Sequence, residues 1–286
     1  MTIATTAGPG FPMVPSLSAE LEWAIDSPPL LTDLLLPHQS FNAAECRQLW
    51  LQWQPATGPD WQLPKRLGRR FEALWQYWLA SHPRWQLLAS GLVVAEAKRT
   101  LGEFDLLLRD RQTGQVEHWE LAAKFYLGEG DLEDPANWHG TLHRDRLEQK
   151  LAKLCQQQLM LGHSSAGKAA LVRAGLSLQQ TRAIVKGRLF YPLAQRDARV
   201  SFAAPDHERG CWATRAEWRD WLSTQGELLA MPVAHEHWLA RIPQAVCRDS
   251  FRELLLQPHW PSFSTFLLSN GEMAMVVPDD GQARRH

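Results

Sequence analysis

Residues 103–127 read EFDLLLRDRQTGQVEHWELAAKFYL, two strand-like runs around a polar turn. Side chains alternate between faces along a strand. On 103–109 one face carries Glu103, Asp105, Leu107 and Arg109, and the other Phe104, Leu106 and Leu108. On 116–127 one face carries Val116, His118, Glu120, Ala122, Lys124 and Tyr126, and the other Trp119, Leu121, Ala123, Phe125 and Leu127. The apolar faces must share a core, so the polar faces also lie together. Arg111–Gly114 makes a four-residue hairpin loop with Gly114 in the left-handed position, which sets Asp110 opposite Gln115. Asp105 then faces Glu120, Glu103 faces Ala122, and Lys124 lies diagonal to Glu103. A one-residue slip would push Asp105 in among the leucines, so only even shifts from this register are open.

Facing carboxylates repel across a sheet. A divalent cation between them removes that cost, and Mg²⁺ takes one or two carboxylates and completes its shell with water and substrate phosphates. Lys124 beside such an ion would orient a water or offset charge on a scissile phosphate. On an edge hairpin with a solvated charged face, the same residues would have no chemical role.

Working outward, Leu67, Phe71, Leu74, Trp75, Trp78 and Leu79 recur at helical spacing and predict an amphipathic helix over 65–81, ended by Pro83. Strands are expected over 85–97, 103–110, 116–127 and 182–191, and a helix over 146–161. The order is helix, three strands, helix, strand. Before it, residues 1–15 read as a mobile tail, 16–54 as a helical arm, and 55–64 (PATGPDWQLP) as a linker rich in Pro. The core is expected over 65–200. Residues 201–286 read as a smaller α+β portion packed on it, with Trp212, Trp218 and Trp221 in a helical stretch and Asn270–Gly271 as a type I′ hairpin turn. The expected class is α/β, a mixed central sheet flanked by helices.

Asp105 in LGEFDLLL, followed by Glu120 and Lys124 in WELAAKFYL on the second and third strands of this frame, resembles the PD-(D/E)XK phosphodiesterase superfamily, the restriction-endonuclease-like nucleases. Glu72 in RRFEALW is similar to the first-helix glutamate that many members add to the metal site. The longer pattern, with LEWAIDSPPLL, GEFD, ELAAKFYL and DRLEQKL, resembles an uncharacterised bacterial family assigned to that superfamily. The superfamily resemblance covers about residues 65–192 and implies a helix-β-β-β-helix-β core. It also implies Mg²⁺ or Mn²⁺ as cofactor, nucleic acid as partner, and Asp105, Glu120 and Glu72 as the acidic set, beside which the register places Glu103. One position departs from the pattern. The acidic residue belongs two places before the lysine, where this chain has Ala122, and Glu120 stands four before Lys124. At ~3.3 Å per residue the separation doubles to roughly 13 Å. Either a bulge shortens the gap, or Glu103 supplies the missing carboxylate, or the site is degenerate and binds without cutting.

The chain has 286 residues and a net charge of −1, with 45% hydrophobic and 21% charged residues. Wholesale disorder and binding to nucleic acid by bulk charge are excluded, so any such binding must come from local patches. Lys65, Arg66, Arg69 and Arg70 form one such patch, at a helix start where positive charge opposes the macrodipole and invites an anion. Arg146, Lys150 and Lys153 form another, opposite the leucine stripe of their helix. The 14 Trp would build a core or stack bases, and the count does not choose.

Cysteines at 46, 155, 211 and 247 make no CxxC pair and fit a reducing compartment. The N-terminus is a poor signal peptide, no run of 18 apolar residues exists, and a cytoplasmic protein is the default. GHSSAGKA (162–169) falls short of a phosphate-binding loop because Ala169 lacks the hydroxyl and no strand precedes it. His235 and His237, on one face of a strand, lack a third metal ligand, and His139 and His143 follow the acidic site closely enough to meet a substrate. Neither GxSxG nor GxGxxG occurs, so a hydrolase triad and dinucleotide binding have no support. The leading expectation is a Mg²⁺-dependent nuclease with Asp105, Glu120, Lys124 and Glu72 as its catalytic set. The alternatives are a non-catalytic nucleic-acid-binding module of the same fold and a structural or interaction protein.

Overall fold

A computed structural model of the chain describes residues 15–32, 35–36, 40–55, 62–97, 99–141, 145–257 and 263–279. The expected tail lies almost wholly outside the described residues, as do the middle of the linker and His143.

The helical arm forms α1 (Leu17–Asp26) and α2 (Ala43–Gln52). Helix α2 starts with a reciprocal capping box between Asn42 and Glu45, which satisfies two otherwise orphaned N–H groups. Next come α3 (Leu67–Ala80), β1 (Trp85–Glu96), β2 (Arg99–Asp110) and β3 (Val116–Gly128). The short β4 (Trp138–Gly140) precedes α4 (Leu147–Lys153), which runs into a π-helical turn over Leu154–Gln158. Helix α5 (Ser165–Arg173) leads to β5 (Gln180–Pro192). The rest is β6 (Glu208–Thr214), α6 (Arg215–Ser223), β7 (Leu229–Val233), β8 (Asp249–Ser250), α7 (Phe251–Leu254), β9 (Ser264–Leu268) and β10 (Met273–Val277).

All ten strands join one mixed sheet, in the order β1-β2-β3-β5-β6-β10-β9-β7-β8, with β4 on β3. The fold is mixed α/β, as the sequence pattern requires. Strand β6 pairs in parallel with β5, and β10 with β6, so they lengthen the same sheet. One face, with Leu106, Leu108, Trp119, Leu121 and Phe125, packs on α1, α2 and α3. The other meets α4 and α5 near the first strands and α6 and α7 farther along. Trp23, Trp75, Trp78, Trp119, Trp138 and Trp218 are fully buried, so this part of the tryptophan excess builds core. Among the described residues no helix is long and apolar enough to cross a membrane.

Several local expectations change. Phe104 is not on the face of Leu106 and Leu108; it packs with Leu107 and Leu161, edge-on to His118 with ring centroids 4.9 Å apart. Strict alternation fails between Phe104 and Leu107, where β2 leaves β3. Trp212 lies in β6, and only Trp218 and Trp221 are helical, on α6. Leu268 N–H donates to Glu272 O across a three-residue loop, and Gly271 alone has positive φ (88°). A type I′ turn needs positive φ at both central residues, so Asn270–Gly271 instead fits the type I turn plus left-handed residue of three-residue loops. His235–His237 is a 3-10 turn rather than a strand. In the 162–169 segment Ser164 caps α5, and a Cβ on Gly167 would lie 1.9 Å from Leu161 O, so the glycine serves close packing.

Candidate functional site: a carboxylate pair beneath α4

The 110–115 turn closes as expected, with Asp110 N–H donating to Gln115 O and Gly114 at φ 77°. From it the β2–β3 ladder runs through Arg109–Val116, Leu108–Glu117, Leu107–His118 and Leu106–Trp119, the register expected. Paired residues stop there. One step on, Leu121 N–H donates 2.8 Å to Asp105 Oδ2, so the carboxylate takes the place of a strand carbonyl in the gap between diverging strands.

That gap brings Asp105 and Glu120 together. Their side chains are within hydrogen-bond reach of each other once one carries a proton. Burial, then the charge of Glu120, pushes Asp105 up to about 7. Burial pushes Glu120 up to about 7 against the opposing pull of Lys150. Two carboxylates this close do not both ionise readily, and a proton shared between them removes the repulsion. Glu120 is 1% exposed, and its Oε2 has no hydrogen-bond donor among the described residues. His118 Nε2 lies 3.6 Å from that oxygen, beyond hydrogen-bond distance, and burial lowers this imidazole to about 4 and keeps it neutral.

The other oxygen of Glu120, Oε1, accepts a short hydrogen bond from Gln158 Nε2, and Gln158 Oε1 accepts from Lys150 Nζ at 3.0 Å. Helix α4 thus lays Lys150 over the pair. Burial lowers the Lys150 ammonium, while Glu120 and Asp105 oppose that shift. Lys124, the expected partner of the pair, is tied instead to Asp145 by a short ion pair, and Tyr126 donates to the same carboxylate at 3.3 Å. Strand β3 pairs with β5 without interruption from Glu117–Gln180 to Leu127–Phe190, so no bulge brings Lys124 toward Glu120.

Glu72 pairs with Arg69 at 2.9 Å, and Arg69 lies 3.9 Å from Glu103. Burial raises the Glu72 carboxyl, and Asp105 and Glu103 add to the shift, which places the expected acidic residues in one field. A cavity of about 550 Å³ opens over Asp105 and Glu103, with Arg69, Arg99 and Lys153 on its walls. Of the first basic cluster, Arg70 is spent on Glu20, donating to both carboxylate oxygens at 3.0 and 2.9 Å. The anion that this helix start invites is therefore partly internal. Lys65 and Arg66 are exposed at the start of α3, and Arg146 is exposed at the start of α4.

Among the described residues no group of three or more His, Cys, Asp or Glu side chains is arranged to hold a metal ion. The site nevertheless fits an ion bound by two carboxylates. Asp105 and Glu120 converge, and Glu120 Oε2 is buried without a hydrogen-bond donor among the described residues. Gln158, Lys150, Asp145 and Arg99 were absent from the acidic motif. Lys150 stood in the basic patch of its helix, but a π turn has no sequence signature that would aim Gln158 at Glu120.

No curated protein and no solved structure matches the chain. A family model described as a domain of unknown function, DUF1853, matches residues 19–260, most of the chain, which therefore belongs to that family.

Proposed function

We propose that this chain hydrolyses phosphodiester bonds of nucleic acid with Mg²⁺ or Mn²⁺, on a restriction-endonuclease-like core of α3, β1, β2, β3, α4 and β5. The observation that carries this reading is the buried pair of Asp105 and Glu120 on adjacent strands, of which Asp105 lines a cavity walled by Arg69, Arg99 and Lys153. Asp105 and Glu120 would hold the ion, with Glu72 and Glu103 nearby. The ion, when bound, supplies Lewis-acid polarisation of the scissile phosphate. Arg69, Arg99 and Lys153 bind the phosphate backbone.

A second reading has its own support. Lys124 is occupied by Asp145, and Ala122 stands where the superfamily pattern has an acid, so the same surface would suit a module that binds nucleic acid without cutting it.

The test is calorimetry with Mn²⁺, then incubation with supercoiled DNA, single-stranded DNA and RNA in Mg²⁺ and Mn²⁺. The expected result is metal binding and cleavage, both strongly reduced by Asp105→Asn. Binding to nucleic acid in Ca²⁺ should weaken as Lys65, Arg66, Arg146 and Lys153 are removed, and its salt dependence should flatten. Binding with no cleavage favours the module; binding of neither metal nor nucleic acid leaves a structural protein.

A further inference from the structure

In hydrolysis a water oxygen forms the new bond to phosphorus, one ester P–O bond breaks, and a proton ends on the departing alkoxide. Negative charge grows on the phosphate oxygens on the way, and a fixed cation beside them lowers the barrier. Two lysines lie near the carboxylate pair, and the structure treats them differently. Lys124 is paired with Asp145. Lys150 reaches Glu120 through one amide, and the charges it feels include both Glu120 and Asp105.

The shape of the helix reinforces this contrast. Lys150 and Gln158 are eight residues apart. At 100° per residue they would lie about 80° out of line on an α-helix. Leu159 N–H instead donates to Leu154 O, an i to i+5 bond at 3.0 Å. With about 4.4 residues per turn over five positions, the two side chains return to within roughly 10° of each other. A π turn costs regular hydrogen bonding, and such turns are frequent at functional sites. Here it aims an amide at one buried carboxylate and an ammonium at that amide.

We propose that Lys150, aligned by Gln158 over the Asp105–Glu120 pair, is the lysine that stabilises the phosphate during cleavage, and that Lys124 is dispensable for that step. This inference rests on the phosphodiesterase reading. Lys150 donates hydrogen bonds to a non-bridging phosphate oxygen and is chemically unchanged by the turnover. Gln158 is a positioning residue that acts through Lys150 and Glu120.

The experiment compares the parent chain with Lys150→Met, Lys150→Arg and Lys124→Met, all checked by thermal melts. Mn²⁺ affinity is read by calorimetry and cleavage on DNA and RNA. Removing the positive charge beside the carboxylates should tighten Mn²⁺ binding about threefold to tenfold in Lys150→Met. Cleavage by that variant should fall at least about a hundredfold. Lys150→Arg should keep the parent's metal affinity, and Lys124→Met should change either reading by less than about threefold. If Lys124→Met abolishes cleavage while Lys150→Met does not, this assignment fails and the phosphodiesterase reading stands. A parent chain that binds Mn²⁺ and cuts neither substrate also overturns it, because no chemical step remains for a lysine to serve. A parent chain that binds no Mn²⁺ overturns the phosphodiesterase reading itself.

Discussion

Asp105→Asn should make the metal-free protein more stable at pH 8 and less than half as much more stable at pH 5. In the folded chain Asp105 and Glu120 are each raised to about 7, from ordinary values of 3.8 and 4.5. The folded state therefore holds protons that the unfolded chain releases. Stability is highest below about pH 4 and is lost as pH rises to about 7, where the shared proton leaves and two buried carboxylates face each other. One pKa unit corresponds to about 1.4 kcal/mol, so the Asp105 shift alone has an upper bound of roughly 4 kcal/mol. Its partner carries part of the same burial and repulsion, and about 2 kcal/mol is the expected gain. The amide suits the site. Its oxygen keeps the bond from Leu121 N–H, and its NH₂ donates to Glu120, as a protonated carboxyl would. Urea unfolding in chelator at both pH values measures the difference. A loss of stability at pH 8 would show that Asp105 is held by a structural cation, and an equal gain at both pH values would show that repulsion is not the cause.

Arg70→Ala should cost about 3 kcal/mol, because it strands Glu20, whose side chain is 2% exposed, without its bidentate partner. Adding Glu20→Leu should recover most of that loss in urea melts, and no loss in the single variant would refute the pairing. Gly187→Ala should cost more than about 3 kcal/mol or prevent folding, since a Cβ there would stand 1.6 Å from Lys124 O and φ is +146°. Near-parental melting of this variant would mean that β3 and β5 do not approach as closely as described.

The alternation of 103–127 and the 111–114 loop determined the hairpin and its register from Arg109–Val116 to Leu106–Trp119. Local backbone periodicity and loop length settle those features before any distant contact forms. The leucine and tryptophan spacing likewise determined α3, because a stripe at helical period has one way to reach the core. The sequence could not show that β2 leaves β3 at Leu106, which turns Phe104 over and sends the Asp105 carboxylate to Leu121 N–H. That divergence depends on what packs around the strand, including α5 and the turn before it. Nor could it choose between basic groups. Lys65 and Arg70 read alike, yet Arg70 is claimed by Glu20, 50 residues earlier in the chain. Lys124 stands in the motif and pairs with Asp145, while Lys150 donates to Gln158, which a π turn brings to Glu120. Charges pair by distance in space, and only the tertiary structure brings α1, α4 and the 145 loop to the strands that the sequence had already paired.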